Sequence, residues 1–207
     1  MNSSDARTLA NHIRSIPRFN MVTYEVPYEH MGATLVDGVF QAGVNYVNVV
    51  LPRVDRMRRD FPEARTTSGF WSLLSRSDLH ALLRWKGERS ITTLLTLTEL
   101  LLDHDVETEE EFLAFLDDPG SRGLVTGVRG IGPKKTFQYL RFLAGAKDAV
   151  AVDRHMWRTL EDAGIKASTF DEAHRIYREA ALLLGVSAAT LEYSVFLYGA
   201  SGGRKSK

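Results

Sequence analysis

Apolar residues recur at helical spacing along almost the whole chain of 207 residues. In the segment that begins at Ser90, for example, Leu94, Leu97 and Leu101 fall on one face of a helix, because side chains three or four residues apart point in the same direction. No segment shows the regular alternation of apolar and polar residues that a half-buried strand needs. We therefore predict an all-α fold.

Capping and breaking residues predict where individual helices begin and end. Thr108 and Glu111 have the spacing of a capping box, in which each side chain bonds the backbone beside the other. Pro119 and Gly120 are expected to stop that helix. Ser77 is expected to cap the start of a short helix further up the chain.

The composition excludes several kinds of site. The chain contains no cysteine, which excludes disulfides, thiolate nucleophiles, cysteine zinc sites and iron–sulfur clusters. The histidines show no spacing suited to a metal site, so we expect no metal and no cofactor. The apolar runs are far shorter than the roughly 20 residues of a membrane helix, and the first residues lack the order of a secretory signal. We expect a soluble, cytoplasmic protein without a membrane partner.

The net charge of zero hides an uneven distribution of charge. Residues 98–118 carry nine acids and no Lys or Arg, whereas residues 121–158 carry eight bases and only two acids, and residues 204–207 add a basic tail. A solvated acidic helix beside a basic one would also explain this pattern. Neutrality therefore does not exclude a nucleic-acid partner, and the distribution predicts one side that faces DNA and one side that DNA repels.

Two glycines flank one apolar residue in the middle of the basic stretch. Gly130, Ile131 and Gly132 lie between two short amphipathic helices, in what we call the Gly-Ile-Gly turn (residues 128–133). Glycines let a backbone turn tightly and approach another surface, while free N–H groups at the start of the next helix attract anions. A bare Gly-x-Gly is most often a simple turn. Beside Arg129 and Lys134, it favours binding of the DNA backbone without regard to sequence.

A second motif follows the turn, in the segment Val-Ala-Val-Asp-Arg-His-Met-Trp-Arg at residues 150–158. Together, the two motifs resemble the helix-hairpin-helix (HhH-GPD) superfamily of base-excision DNA glycosylases. The Asp-x-His-Met-Trp part is similar to 8-oxoguanine DNA glycosylases. The resemblance implies that Asp153 is the catalytic aspartate and that Lys134, 19 residues earlier, is the nucleophilic lysine of the bifunctional members. The missing cysteines place the chain with the branch that has no iron–sulfur cluster.

Each implied role has a simpler alternative. Asp153 precedes a helix, and an aspartate there is usually an N-cap; capping and catalysis are compatible, because a cap fixes the orientation of the carboxylate. Lys134 would otherwise bind a phosphate in a monofunctional enzyme that uses water. Pro133 and Lys135 depart from the superfamily's commonest pattern, so Lys135 is the alternate nucleophile if the register of the turn shifts by one residue.

Further residues are expected to contact DNA. Residues 40–46 resemble the superfamily's loop that enters the duplex, where Gln41 or Asn45 would fill the space of the extruded base, although an ordinary loop between core helices fits equally well. Arg154 and His155 either contact a phosphate or end a solvated helix. The full set of expected DNA-binding residues is Gly130, Ile131, Gly132, Lys135, Arg129, Arg154, His155, Gln41 and Asn45. Carbonyl groups of the turn often hold a monovalent cation in the superfamily.

Aromatic residues could line a base pocket by stacking. The candidates are Phe70, Trp71, Tyr193, Phe196 and Tyr198, whereas Trp157 is expected in the core.

The resemblance implies two helical subdomains with an active-site cleft between them. Residues 28–133 would form a central bundle, and residues 1–27 with 134–207 would form the second subdomain. The expected protein is a monomeric, nucleoid-associated DNA glycosylase that flips a damaged or modified base out of double-stranded DNA and cleaves its N-glycosidic bond.

We expect a bifunctional enzyme with AP-lyase activity through a lysine Schiff base, acting on an oxidised purine. One alternative is a monofunctional glycosylase for alkylated, deaminated or enzymatically modified bases, including those of foreign DNA. The other is a non-catalytic helix-hairpin-helix module that binds DNA.

Overall fold

The computed structural model describes residues 4–25, 28–41 and 43–201, and these residues contain helices and no strand, which confirms the all-α class. A single turn of π-helix at Tyr46–Val50 and a 3₁₀ helix at Pro62–Arg65 accompany twelve α-helices in this part of the chain. The α-helices are α1 (Ser4–Ser15), α2 (Met31–Phe40), α3 (Leu51–Asp60), α4 (Thr67–Arg76), α5 (Leu79–Leu83), α6 (Glu88–Leu102), α7 (Glu109–Asp117), α8 (Pro119–Gly127), α9 (Lys135–Leu143), α10 (Arg154–Asp162), α11 (Phe170–Leu184) and α12 (Ala188–Ala200).

The described residues divide into two compact units, one within residues 26–145 and one that combines residues 1–25 with 146–207. The predicted boundary after residue 133 differs from this division, because α9 packs on α2 and buries Phe137 and Leu140 in the core of the first unit. We call the two units the central unit and the end unit.

Helix α2 is the axis of the central unit, and all ten of its residues are buried. Its small residues allow other helices to come close: a Cβ on Gly38 would stand 2.3 Å from the Leu140 side chain of α9. Dense packing of this kind stabilises a core, because each buried side chain contacts atoms on all sides. An all-buried helix also forces any polar side chain that it carries to find partners inside the protein.

The end unit joins the two ends of the chain. Helix α1 packs against α11, and the Tyr177 hydroxyl of α11 donates a hydrogen bond of 2.9 Å to the carbonyl of Met156 in α10. The extended residues before α2 run beside α12, where the backbone N–H groups of Val22 and Tyr24 donate to the hydroxyls of Ser194 and Thr190.

One predicted helix start is confirmed, while another start and one predicted helix end differ in detail from the structure. The capping box of α7 is present, with Thr108 and Glu111 in both of its hydrogen bonds. The short helix α5 is capped by Asp78 rather than Ser77, since the Asp78 carboxylate accepts the N–H of Ala81 at 3.1 Å. Pro119 does not only end α7; it is also the first residue of α8, where its missing N–H costs nothing.

Among the described residues, no single helix is both long and apolar enough to cross a membrane. Helices α11 and α12 reach that length and apolar character only as a pair, which is bent by 101°.

Candidate functional site

The Gly-Ile-Gly turn connects α8 and α9, and its first glycine is required by the fold. Gly130 has φ of +102°, a conformation that side chains disfavour. A Cβ on it would also stand 2.7 Å from the Thr93 hydroxyl oxygen, which donates a hydrogen bond of 2.7 Å to the carbonyl of Arg129. Ile131 is 2% exposed and packs in the core of the central unit, as an anchor of the turn would.

The second glycine of the turn is not required by the fold. Gly132 is exposed, its φ is not positive, and a Cβ on it would meet no atom within 4 Å. Neither backbone conformation nor internal packing therefore explains a glycine here. A surface without a side chain leaves room for an external group to approach the backbone.

Basic residues surround this open backbone. Arg129, Lys134 and Lys135 are all exposed. Lys134 occupies the N-cap position of α9 and its carbonyl accepts the N–H of Gln138 at 2.9 Å, so α9 begins at Lys135. The structure therefore brings three cations to one turn of the central unit, which produces a local positive potential.

Three carbonyls of this turn accept hydrogen bonds inside the protein. Val128 accepts from Ile131, Arg129 from Thr93, and Gly132 from Phe137. A monovalent cation held by any of these three oxygens would use its second lone pair. No group of three or more His, Cys, Asp or Glu side chains suited to a metal ion occurs in the part of the chain that the structure describes.

Asp153 is the N-cap of α10 in the end unit. Its Oδ1 accepts the backbone N–H groups of His155 at 2.8 Å and Met156 at 3.0 Å, and the residue is half-buried. These two bonds hold the carboxylate in one orientation and use only one of its oxygens. The expected cap is therefore present, in a form that is compatible with catalysis.

A buried glutamate holds the chain just before Asp153. Glu192 of α12 is 7% exposed, and its Oε2 accepts the N–H of Ala151 at 2.7 Å. The Ala189 N–H donates to the Lys147 carbonyl at 3.1 Å. The start of α12 thus ties down the extended residues that lead into α10, a relationship that the sequence analysis missed.

His155 does not lie where the sequence analysis expected it. The residue is 7% exposed, its ring meets the Phe196 ring edge-on at 6.0 Å, and a Cβ on Gly199 would stand 2.2 Å from its Nδ1. The ring packs under α12 and is neither a solvated helix end nor available to a phosphate in this structure. Arg154 is exposed, with its Nε 3.4 Å from the Nε2 of His155.

The loop after α2 uses one of its expected contact residues for a local cap. The Asn45 side chain accepts the N–H of Asn48 at 3.0 Å, and Gln41 is the half-buried C-cap of α2. Val44 on the same loop and Val47 in the turn of π-helix that follows are 36% and 52% exposed. Asn45 thus has a structural task in addition to the DNA contact that we expected.

The stacking candidates have mixed positions. Phe70 is fully buried in the central core, which contradicts its expected role in a base pocket. Tyr193, Phe196 and Tyr198 are half-buried against other aromatic rings of the end unit. Trp157 packs against the core of the end unit, as expected.

At least three of the nine acids in residues 98–118 have structural tasks. The Glu111 carboxylate accepts the Thr108 N–H in the capping box of α7, and Asp118 caps α8. The buried Glu109 accepts from the His30 N–H and the Thr34 hydroxyl. The stretch is therefore not simply a solvated face. The basic tail at residues 204–207 lies outside the described residues.

A polar cluster at the centre of α2 was also missed. The carboxylate of Asp37 accepts hydrogen bonds from three phenol groups: Tyr28 at 2.6 Å and Tyr46 at 3.0 Å to Oδ2, and Tyr139 at 2.9 Å to Oδ1. Burial raises the pKa of Asp37 to about 6, although the three donors lower it. Burial and the negative charge of Asp37 raise the pKa of all three tyrosines. A single acid inside an otherwise apolar helix was the signal that could have revealed this cluster.

Residues 9–200 match the model of a family described as Domain of unknown function (DUF8548). No curated protein and no solved structure shows a significant match to the chain.

Proposed function

Because the chain belongs to the DUF8548 family, whose description names no activity, we propose a function from its own residues: it is a DNA glycosylase of the helix-hairpin-helix type with AP-lyase activity. The helix-hairpin-helix motif, formed by α8, the Gly-Ile-Gly turn and α9, and the active-site cleft implied by the resemblance are part of this proposal. The single observation that carries it is the open backbone at Gly132 beside exposed cations.

The turn supports DNA binding through the backbone. Lys135 is the first residue of α9, where unpaired N–H groups and the helix dipole favour a phosphate. A lysine at this position opposes the dipole, so the arrangement is favourable only when an anion is bound. Contacts of this kind position a protein on DNA without reading its sequence.

Asp153 supports the chemical step. Cleavage of an N-glycosidic bond develops positive charge on the sugar, which a fixed carboxylate stabilises electrostatically. The cap bonds to His155 and Met156 fix the carboxylate before substrate arrives, and the second oxygen takes no part in them. The target nucleotide must first be flipped out of the duplex, at a cost of a few kcal/mol.

Lys134 is the proposed nucleophile. The lone pair of its Nζ attacks C1′, the C1′–N bond breaks, and the bonding electron pair leaves with the base, which takes up the proton that Nζ loses. The C1′–O4′ bond then breaks, O4′ takes up a proton from solvent, and the nitrogen lone pair forms a protonated Schiff base between Nζ and C1′. Loss of a proton from C2′ then expels the 3′ phosphate, which nicks the strand.

The carboxylate test separates a glycosylase from a non-catalytic DNA-binding module. Asp153→Asn should lower base release by at least about 100-fold while DNA affinity is unchanged, since Asn caps a helix as well as Asp. Asp103→Asn, at an exposed position in the central unit, is the matched control. Equal base release by wild type and Asp153→Asn would reject the role of Asp153, and no base release by the wild type on any duplex would favour the binding module.

The lysine test identifies the nucleophile. Borohydride should trap a covalent adduct between wild type and a duplex that carries the excised base. Lys134→Ala should abolish trapping. Lys135→Ala should retain it, and so should the control Lys86→Ala, which lies at an exposed position of the central unit. Loss of trapping in Lys135→Ala alone would transfer the role to Lys135. Base release without any trapping would indicate a monofunctional enzyme that uses water.

The excised base is proposed to be an oxidised purine, from the Asp-x-His-Met-Trp resemblance alone. A panel of duplexes, each with one modified base, tests it directly. Release of alkylated, deaminated or enzymatically modified bases instead would support the alternative that includes foreign DNA.

A further inference from the structure

The central unit has an open surface depression of about 270 Å³ on the side of α3 and the start of α2. We call it the arginine depression. Its lining residues are Tyr28, His30, Asp55, Arg58, Arg59 and Arg65. Neither the DNA-binding residues expected from sequence nor the proposed catalytic residues belong to this set.

The charges of the arginine depression are not balanced. Three guanidinium groups face one carboxylate, that of Asp55. Arg59 is held by Asp60, with 2.7 Å between its Nε and Oδ1. In the part of the chain that the structure describes, neither Arg58 nor Arg65 forms an ion pair. The guanidinium groups of Arg58 and Arg65 therefore line the same depression, and no carboxylate of the described residues forms an ion pair with them.

The neighbouring polar groups are already committed. His30 caps α2 through its Nδ1, which accepts the N–H of Ala33 at 3.2 Å, and its Nε2 lies 3.0 Å from the Phe61 carbonyl. A ring that accepts at Nδ1 and donates at Nε2 is neutral. The Tyr28 hydroxyl donates to Asp37. His30 and Tyr28 therefore form part of the wall, and a ligand in the depression would be bound by the arginine side chains.

The aromatic wall also orients one arginine. The guanidinium carbon of Arg58 lies 5.5 Å from the centre of the Tyr28 ring, within the range of a cation–π interaction. Stacking restrains the side chain while its N–H groups stay in the plane of the guanidinium. A restrained guanidinium loses less entropy when it binds a ligand.

We propose that the arginine depression binds a phosphoryl group through Arg58 and Arg65. A guanidinium group matches phosphate oxygens with paired N–H donors, and Arg58 and Arg65 line one depression without an ion pair among the described residues. The volume lies below the roughly 300–1,000 Å³ of typical small-molecule pockets, so it fits a small anionic group. This proposal does not depend on the glycosylase activity. The phosphoryl group belongs either to the DNA backbone or to free phosphate or a phosphate monoester.

Equilibrium dialysis with inorganic phosphate tests the site at constant ionic strength. Wild type should bind phosphate saturably, and the double variant Arg58→Gln/Arg65→Gln should bind at least about tenfold more weakly. The matched control, Arg7→Gln/Arg76→Gln, removes the same charge from exposed positions outside the depression and should bind like wild type. Equal weakening in both double variants would overturn the proposal, because it would show a general effect of charge.

A second variant, which should strengthen phosphate binding, tests the proposal even if the double arginine variant loses stability. Asp55→Asn removes the only carboxylate of the depression and should tighten phosphate binding by roughly threefold. Unchanged or weaker binding by Asp55→Asn would count against the proposal.

Unmodified duplex DNA distinguishes the two sources of phosphate. If the site takes a backbone phosphate, Arg58→Gln/Arg65→Gln should weaken DNA binding and reduce the slope of log K against log salt by about 1 relative to the control. If the site takes free phosphate or a monoester, DNA binding is unchanged while phosphate binding is lost. Absence of both effects overturns the proposal. Base release by Asp153 variants is measured separately, so failure of either proposal is recognisable.

Discussion

The hydroxyl oxygen of Thr93 lies 2.7 Å from the point that a Cβ atom on Gly130 would occupy. The same hydroxyl donates to the carbonyl of Arg129, so helix α6 holds the Gly-Ile-Gly turn at the residue where its backbone turns. Gly132, two residues later, has open space at the corresponding point. The two positions of this short motif are therefore glycines for different physical reasons: internal packing and a positive φ at Gly130, and an open surface at Gly132.

Substitution of the two glycines should separate stability from DNA binding. Gly130→Ala should lower the free energy of unfolding by about 1–3 kcal/mol, because a side chain there is strained by the positive φ and the Thr93 contact. Gly132→Ala should change it by less than about 0.5 kcal/mol. Urea denaturation of both variants measures this. Equal losses of stability would mean that the turn does not distinguish the two positions.

Gly132→Ala should nevertheless weaken binding to unmodified duplex DNA by roughly tenfold, which corresponds to about 1.4 kcal/mol. The reason is that a methyl group keeps a phosphate away from the backbone N–H groups of the turn. Gly123→Ala is a suitable control, since a Cβ there also meets no atom within 4 Å. Wild-type affinity in Gly132→Ala would remove the main support for the proposed backbone contact.

The cap of α10 predicts different stabilities for two Asp153 variants. Asp153→Ala should lower the free energy of unfolding by about 0.5–2 kcal/mol, because the N–H groups of His155 and Met156 lose their acceptor, and Asp153→Asn should change it little. Thermal unfolding at neutral pH compares them. A large loss in Asp153→Asn would imply that the negative charge, rather than the acceptor oxygen, stabilises this end of the helix.

The Asp37 cluster predicts a pH dependence of stability. The folded pKa of about 6 lies above the usual 3.8, so the protonated carboxyl favours the folded state. Its contribution is complete below about pH 4 and is lost as the pH rises through 6, by about 3 kcal/mol in total. Asp37→Asn cannot ionise. The stability of wild type relative to Asp37→Asn should therefore fall across this window in urea titrations.

A difference in the free energy of unfolding between wild type and Asp37→Asn that stays constant from pH 4 to pH 7 would contradict the raised pKa of Asp37. The exposed Asp103→Asn variant is the control. Its free energy of unfolding relative to wild type should not change by a similar amount over this pH range, because the contributions of all unchanged titrating groups cancel in such a comparison.

The buried Glu192 should stabilise the segment before Asp153. Glu192→Ala should cost about 1–3 kcal/mol or more, because the buried N–H of Ala151 loses its acceptor. Glu192→Gln keeps an oxygen at that place and should cost less, and Glu161→Ala at an exposed position of α10 should cost under about 0.5 kcal/mol. Chemical denaturation of the three variants ranks their losses in free energy of unfolding. A loss as large for Glu161→Ala would show that the effect is not specific to the buried contact.

Local patterns were enough to predict the helical class and several helix caps, because their causes lie within a few residues, but α4 was not predicted. The capping box of α7 and the cap at Asp153 depend on neighbouring backbone groups, and both are present. Ser77 failed as a cap because Asp78 beside it is an equally good acceptor, and sequence alone does not rank the two.

Long-range partners were not predictable from the chain. His155 sits beneath Gly199, and Asp37 meets Tyr139 from 102 residues away. No periodicity connects such residues. The unpaired Arg58 and Arg65 likewise became recognisable only when the structure placed them around one depression.

By itself, the sequence determined the helical class, several helix caps and the two motifs on which the proposed glycosylase rests, since helix formation and capping are local interactions. The tertiary structure decided which polar groups are buried and which stay open to a ligand. It assigned α9 to the central unit, gave Asp37 and Glu192 their partners, and left Gly132 exposed. These outcomes depend on packing between distant segments, because burial makes each polar group find a partner wherever the fold brings one.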